Sequence, residues 1–253
     1  MNAAQWFDLT GRVAVVTGAR RGIGRSLAIG LAQAGADLVV VSRTAADDLA
    51  ADVERLGRRC LAVEADLADP AHVDRVIPQA VRAFGRVDIL VNNAGTATRG
   101  PALDVTPDDW HRVLQVNLHA VFSLCQAAAR DMLPRGRGKV INIASMMSFQ
   151  GGINIAGYTA SKGAVGQITK LLANEWAAHG VNVNAIAPGY IATDLTRPLR
   201  EDPVRGPEIL ARIPAGRWGR PDDLAGAAVF LASSASDYVH GHLLVVDGGW
   251  LAR

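Results

Sequence analysis

At 253 residues, 49% of them hydrophobic and 20% charged, the chain can bury a full core and suits one large α/β domain better than two small ones. Its net charge of +2 comes from arginines scattered along the chain, without a basic block or interleaved aromatics, which argues against nucleic acid as a partner. The two cysteines, Cys60 and Cys125, stand in apolar settings with no metal-ligand spacing, so a reduced, cytoplasmic setting, inert packing roles and no metal centre are expected.

No basic and apolar leader opens the chain, so secretion is not expected. Residues 140–161 carry no charge and are long enough to span a bilayer, but Asn142, Ser145, Gln150 and Asn154 interrupt them, and a buried strand and loop fit better than a membrane.

The first predicted strand, 13–16, runs through Thr17 into Gly18-Ala19-Arg20-Arg21-Gly22-Ile23-Gly24 and then into a helix over 22–34. A glycine-rich turn between a first strand and a helix is where an open α/β sheet binds dinucleotide phosphates, here with G-x-x-x-G-x-G spacing. The second strand, 38–41, ends at Ser42-Arg43, where an NAD-selective enzyme often places a carboxylate on the ribose 2′-hydroxyl. Here Ser42 leaves room for a 2′-phosphate and Arg43 and Arg21 can bind it, so NADP is expected, with NAD as the alternative.

A helix over 45–56 leads to a strand at 60–63, followed by Asp66-Leu67 and a helix over 71–84. The strand at 89–91 ends in Asn92-Asn93-Ala94-Gly95, and Asp66, Leu67, Asn93, Ala94 and Gly95 all fall at carboxyl ends of strands, positioned to line adenine and ribose. Turn chemistry alone also accounts for Asn93 and Gly95. A long helix over 107–132, a strand at 140–143, a helix over 158–178 and a strand at 181–186 continue the alternation. Residues 189–219 interrupt it with Pro198, Pro203, Pro207 and Pro214 around one short helical candidate, an excursion suited to a substrate lid. A helix over 222–232 and a strand at 243–246 close the chain. Near-continuous apolar strands separated by helices predict one doubly wound α/β domain over 1–253, with seven parallel strands and helices on both faces.

Within this frame Tyr158 and Lys162 stand four apart on one helix face, and Ser145 follows the fifth strand. A free phenol titrates near 10, and a neighbouring cation favours its phenolate, making Tyr158 an acid/base usable near neutrality. Hydrogen bonds from Ser145 and Tyr158 to a carbonyl oxygen strengthen as negative charge develops on it during reduction.

The glycine turn, Asn92-Asn93-Ala94-Gly95, Ser145 and Tyr158-x-x-x-Lys162, in this order and spacing, resemble the short-chain dehydrogenase/reductase family over essentially the whole chain. The resemblance implies a Rossmann fold, a homotetramer and hydride transfer without metal. It also implies that Tyr158 is the general acid/base, that Ser145 binds the substrate oxygen, that Lys162 lowers the Tyr158 pKa and holds the nicotinamide ribose, and that Asn117 joins a proton relay. Pro188, Gly189, Ile191 and Thr193 match the segment near the nicotinamide carboxamide, and Gly18, Arg20, Arg21, Gly22, Ile23, Gly24, Ser42 and Arg43 the adenosine and phosphate end.

The stretches 141–152, 173–176, 212–219 and 246–253 are similar to a narrower group, the 2-deoxy-D-gluconate 3-dehydrogenases and related keto-deoxygluconate dehydrogenases. That similarity implies a polyol, sugar acid or small carbonyl substrate meeting Ser145, Met147 and Tyr158. Asn154 stands where a basic residue is often found, and Arg99 can supply the cation a carboxylate needs. Two other readings remain open at this point: Met146, Met147 and Phe149 as an apolar wall for a more apolar ketone or as plain core, and a non-catalytic dinucleotide sensor or scaffold. His240-x-His242 lacks a third ligand nearby and reads as a turn or surface pair.

Overall fold

A computed structural model describes residues 2–253. The chain runs β1 (Val13–Thr17), α1 (Gly22–Gln33), β2 (Asp37–Ser42), α2 (Asp47–Arg55), β3 (Cys60–Glu64), α3 (Pro70–Phe84), β4 (Ile89–Asn92), α4 (Pro107–Leu114), a π-helical turn (Gln115–His119), α5 (Ala120–Met132), β5 (Gly138–Ile143), α6 (Ala156–Trp176), β6 (Val181–Pro188), α7 (Arg197–Arg200), α8 (Arg205–Arg212), α9 (Ala225–Ala232) and β7 (Leu243–Val246).

The strands form one sheet in the order β3-β2-β1-β4-β5-β6-β7, every pair parallel. Strand side chains alternate between faces, and both faces are covered. Val13, Val15, Val39 and Val41 pack with Val76 of α3, Leu124 of α5 and Val165 of α6, whereas Ala14, Val16, Leu38 and Val40 pack with Leu27 of α1, Leu49 of α2 and Leu231 of α9. This is the doubly wound Rossmann arrangement, and the strand order reverses between β1 and β4, which opens a crevice at their carboxyl ends.

β6 alternates Val with Asn in its first half, and every residue of the strand is buried. The asparagines find partners in the loop before β7: Asn182 Nδ2 donates to the carbonyls of Asp237 and Val239, both at 3.0 Å, and Asn184 Nδ2 donates to Val239 O at 2.8 Å. Because each buried amide is bonded, the strand stays in the core and the β7 approach is pinned to it.

The excursion 189–219 carries two helices, α7 and α8, where one was expected. Its ends are stitched together: Ala192 N donates to Gly219 O at 2.8 Å and Gly219 N to Tyr190 O at 2.9 Å. The segment between therefore projects from a closed neck over the carboxyl ends of the strands.

Candidate active site

Tyr158 sits in the first turn of α6, and Ser145 caps the short turn after β5, its Oγ accepting from Met147 N at 3.1 Å. The Ser145 hydroxyl also stands beside the Tyr158 phenol and favours its phenolate. Lys162, only 4% exposed, follows one helical turn later. Its ammonium donates to Ile143 O at 2.5 Å and lies 5.7 Å from the centre of the Tyr158 ring.

Three influences act on the Tyr158 phenol. Burial raises its pKa, opposed by the Ser145 hydroxyl and by the charge of Arg99. Lys162 is itself buried with no carboxylate beside it, and desolvation of the ammonium brings its pKa down to about 8.

Asn117, expected on a regular helix, lies in the π-helical turn between α4 and α5 and is fully buried. Its Oδ1 accepts from Thr96 N and its Nδ2 donates to Thr96 O, both at 2.8 Å, and Nδ2 also donates to Ser161 Oγ at 3.1 Å. Such one-turn widenings of a helix are rare and concentrate at functional sites.

The residues expected to hold a cofactor converge. Gly18, Arg20, Arg21, Gly22, Ile23, Gly24, Ser42, Arg43, Asp66, Leu67, Asn93, Ala94, Gly95, Pro188, Gly189, Ile191 and Thr193 line one crevice of about 1040 Å³ together with Ser145, Tyr158 and Lys162. Gly18 has φ +64°, and a Cβ on it would stand 2.9 Å from Ala94 Cα. A Cβ on Gly24 would overlap the Gly18 carbonyl and the Asn93 amide. The turn thus brings bare backbone to the N-terminus of α1, a cradle for phosphate.

Thr17 and Asn93 hold that cradle. Thr17 Oγ1 accepts from Asn93 N and Ala94 N, each at 3.0 Å, and Asn93 Nδ2 donates to Thr17 O at 2.8 Å. Asp66 Oδ1 accepts from Ala68 N at 3.0 Å, closing the turn after β3. Asn93 and Asp66 therefore shape their turns as well as lining the crevice.

The two turn arginines divide differently from the sequence expectation. Arg21 pairs with Asp194 of the excursion at 2.8 Å, whereas Arg20 Nη1 donates to Thr44 Oγ1 at 2.9 Å, beside Ser42 and Arg43 at the end of β2. Arg20 and Arg43 are thus the cations gathered where a 2′-phosphate would lie, with no acid at the end of β2 to oppose it. The glycine cradle and this basic edge fit an NADP-type dinucleotide.

A second cavity of about 400 Å³ adjoins the crevice, and Ser145 and Tyr158 line both. Met146 and Met147 line it while packing with Ile209, Ile213 and Trp250, so they are wall and core at once. Phe149 is 53% exposed and lies outside it. Arg99 lines the cavity and donates to Leu195 O at 3.2 Å. Tyr190, Trp250 and the inner face of α8 complete the wall; of these the sequence marks only Arg212 and Trp250, within the stretches 212–219 and 246–253.

His240 faces Asn182, with Nε2 3.2 Å from its Nδ2. Among the described residues no group of three or more His, Cys, Asp or Glu side chains is placed to hold a metal ion. Both cysteines are free thiols whose pKa burial raises to about 12, in keeping with packing roles. No helix among the described residues is long and apolar enough to cross a membrane.

A family model described as enoyl-(acyl carrier protein) reductase matches residues 18–251. The chain is 54% identical over 248 residues to the 2-dehydro-3-deoxy-D-gluconate 5-dehydrogenase of Escherichia coli K12, covering 98% of each. A protein of Agrobacterium tumefaciens solved with bound NADP is 53% identical and superposes with a TM-score of 0.93 over 98% of this chain and 99% of that one. A gluconate 5-dehydrogenase of Burkholderia cenocepacia J2315, solved with NADP and tartrate, is 45% identical with a TM-score of 0.95 over 100% of both chains. With the parallel seven-stranded sheet and the Ser145, Tyr158 and Lys162 constellation, these matches place the chain in the short-chain dehydrogenase/reductase family.

Proposed function

We propose that the chain is an NADP-dependent oxidoreductase that interconverts a secondary alcohol and a ketone on a sugar acid. The observation that carries this reading is the seam between the two cavities: Ser145, Tyr158 and Thr196 are the hydroxyl-bearing residues that line both, and the Thr196 hydroxyl is committed to Ile191 O, which leaves Ser145 and Tyr158 to meet a substrate oxygen. The gluconate and keto-deoxygluconate dehydrogenase names of the relatives and the NADP of the solved structures support it.

When bound, the nicotinamide cofactor supplies or accepts the hydride. Tyr158 gives its phenolic proton to the nascent alkoxide in reduction and takes it back in oxidation, and Ser145 holds the same oxygen. Both hydroxyls line the seam, so one substrate oxygen there can meet the two. Lys162 contributes a buried cation one turn away, and Asn117 fixes the turn on which both stand.

Segment 189–219 acts as the substrate lid of a single domain over 1–253, its closed neck serving as hinge. The two free thiols suit a reducing cytoplasm. The uncovered edge strand β7 and the exposed Leu171 of α6 are surfaces suited to a homotetramer.

The test is turnover with NADP and NAD on a panel of sugar acids, polyols and ketones, read by absorbance of the reduced nicotinamide, for the wild type and Tyr158→Phe. Turnover of a sugar acid that falls at least about a hundredfold in the variant, with NADP affinity retained, is expected. Silence across the panel, or a Tyr158→Phe variant with full turnover, overturns the reading.

A further inference from the structure

The lid helix α8 turns a patterned face to the smaller cavity. Arg205, Glu208, Ile209 and Arg212, spaced i, i+3, i+4 and i+7, all line it. Ile209 belongs to the apolar cluster that seats the helix against Met146, Met147 and Trp250. The other three bring charge to the cavity, and among the described residues none of them takes part in a salt bridge, although other arginines of the excursion do: Arg197 pairs with Asp194 and Arg217 with Asp223. Charged side chains held close on one helix yet left unpaired are available to a ligand.

Arg212, although exposed, rests against the aromatic wall. Its guanidinium lies 4.0 Å over the Trp250 ring, Trp250 meets Tyr190 edge-on at 4.8 Å, and Trp250 Nε1 donates to Gln150 Oε1 at 3.3 Å. The turn that presents Trp250 is fixed by Asp247, whose carboxylate accepts from Gly249 N and Leu251 N, each at 2.8 Å. Stacking on an aromatic face leaves the edge N–H groups of a guanidinium free for bidentate binding. Arg99, Arg205 and Arg212 all line the cavity, as does Tyr190, on whose phenol the charge of each acts. Among the described residues only Glu208 opposes them there.

We propose that Arg212, stacked on Trp250 and joined by Arg205, anchors the carboxylate of the substrate, while Glu208 between them accepts a hydrogen bond from a substrate hydroxyl. This rests on the sugar-acid reading and deepens it: α8 selects a hydroxylated monocarboxylate over an uncharged polyol of the same length. Arg99 lies at the reacting end, where its charge reaches Tyr158 and one of its N–H groups is committed to Leu195 O. Because the anchor stands on the lid segment, the carboxylate also draws α8 over the bound substrate.

The test uses the full chain with saturating NADP, comparing D-gluconate with the alditol D-sorbitol for the wild type, Arg212→Met, Arg212→Lys and Arg205→Met, with thermal unfolding confirming that each variant folds. Arg212→Met is expected to lower kcat/KM for gluconate about 10- to 100-fold, chiefly through KM, and to reduce the gluconate-to-sorbitol ratio at least about tenfold. Arg212→Lys recovers part of the loss, since it keeps the charge and gives up the planar fork. An unchanged ratio overturns the anchor. Calorimetric titration of tartrate into each NADP complex separates this failure from that of the broader reading. If the wild type turns over no sugar acid, yet binds tartrate at least about tenfold more tightly than Arg212→Met, the function proposal fails and the anchor stands. Equal tartrate affinities, or no binding to the wild type, overturn the anchor.

Discussion

Asn117 and Ser161 join the π-helical turn to the helix that bears Tyr158. The Asn117 amide donates to Ser161 Oγ at 3.1 Å, and that hydroxyl donates in turn to Tyr158 O at 2.8 Å. Asn117 also closes both backbone groups of Thr96, so one buried side chain links the loop after β4, the turn between α4 and α5, and α6. Removing it leaves the Thr96 N–H and C=O without partners inside the protein, and a buried polar group left unpaired costs about 1–3 kcal/mol. Asn117→Ala is therefore expected to lower unfolding stability by about 2–4 kcal/mol in urea titrations and to reduce kcat. A variant as stable as the wild type would show that the amide is replaceable by solvent and does not set the position of α6.

Gly24 and Gly18 make the second testable contact. Where Gly24 passes the Gly18 carbonyl there is no space for a methyl group, and the obstruction is backbone rather than a movable side-chain tip. Gly24→Ala must therefore displace the cradle itself. The expected result is a loss of about 1–3 kcal/mol in stability together with loss of measurable NADP binding. Retained NADP affinity would mean the phosphates are held elsewhere along the crevice.

Cofactor choice should divide between the two turn arginines and the residue after β2. Arg43 and Arg20, gathered at Ser42 and Thr44, are expected to lose about 10- to 100-fold in NADP affinity on replacement by Ala, with little change for NAD. Arg21→Ala should leave that ratio near its wild-type value, since Arg21 is turned to Asp194 in an exposed pair worth at most about 1 kcal/mol. Fluorescence titration of both cofactors decides it, and equal losses for NADP and NAD in Arg43→Ala would remove the 2′-phosphate assignment.

The sheet and the glycine cradle were legible because they follow from local rules: apolar runs of strand length, helical periodicity between them, and glycine where backbone must bend or approach closely. The crevice residues could be read for the same reason, since carboxyl ends of parallel strands converge by topology. What could not be read depends on side-chain direction and on packing between distant segments. The division between Arg20 and Arg21 turns on which of two adjacent residues faces β2 and which faces Asp194. The π turn at Asn117 has the same apolar spacing as an ordinary helix to either side. Trp250 reaches the smaller cavity because the C-terminal turn folds back against α8, and the i, i+3, i+4, i+7 pattern of α8 has meaning only once the cavity is seen on one side of it.

Lys162 gives the pH prediction. Its pKa falls from 10.5 to about 8 on folding because the ammonium leaves water for the interior. Below pH 8 it is protonated in both folded and unfolded chains, and the folded protein bears the whole cost of the buried charge. Between about 8 and 10.5 the unfolded chain still binds the proton while the folded one has released it, so this residue makes stability rise with pH across that window. The gain is on the order of 3 kcal/mol for a fully buried group. Comparing wild type with Lys162→Met cancels the titration of every other side chain that the replacement leaves undisturbed. The stability difference should stay flat from pH 6 to near pH 8 and then move in favour of the wild type up to pH 10.5, as read by urea unfolding at fixed ionic strength. A difference that is constant throughout would place the ammonium in solvent contact. A difference that stays constant to about pH 10 and moves against the wild type above it would mean that the Ile143 carbonyl, which the ammonium reaches at 2.5 Å, outweighs desolvation and holds the charge in place.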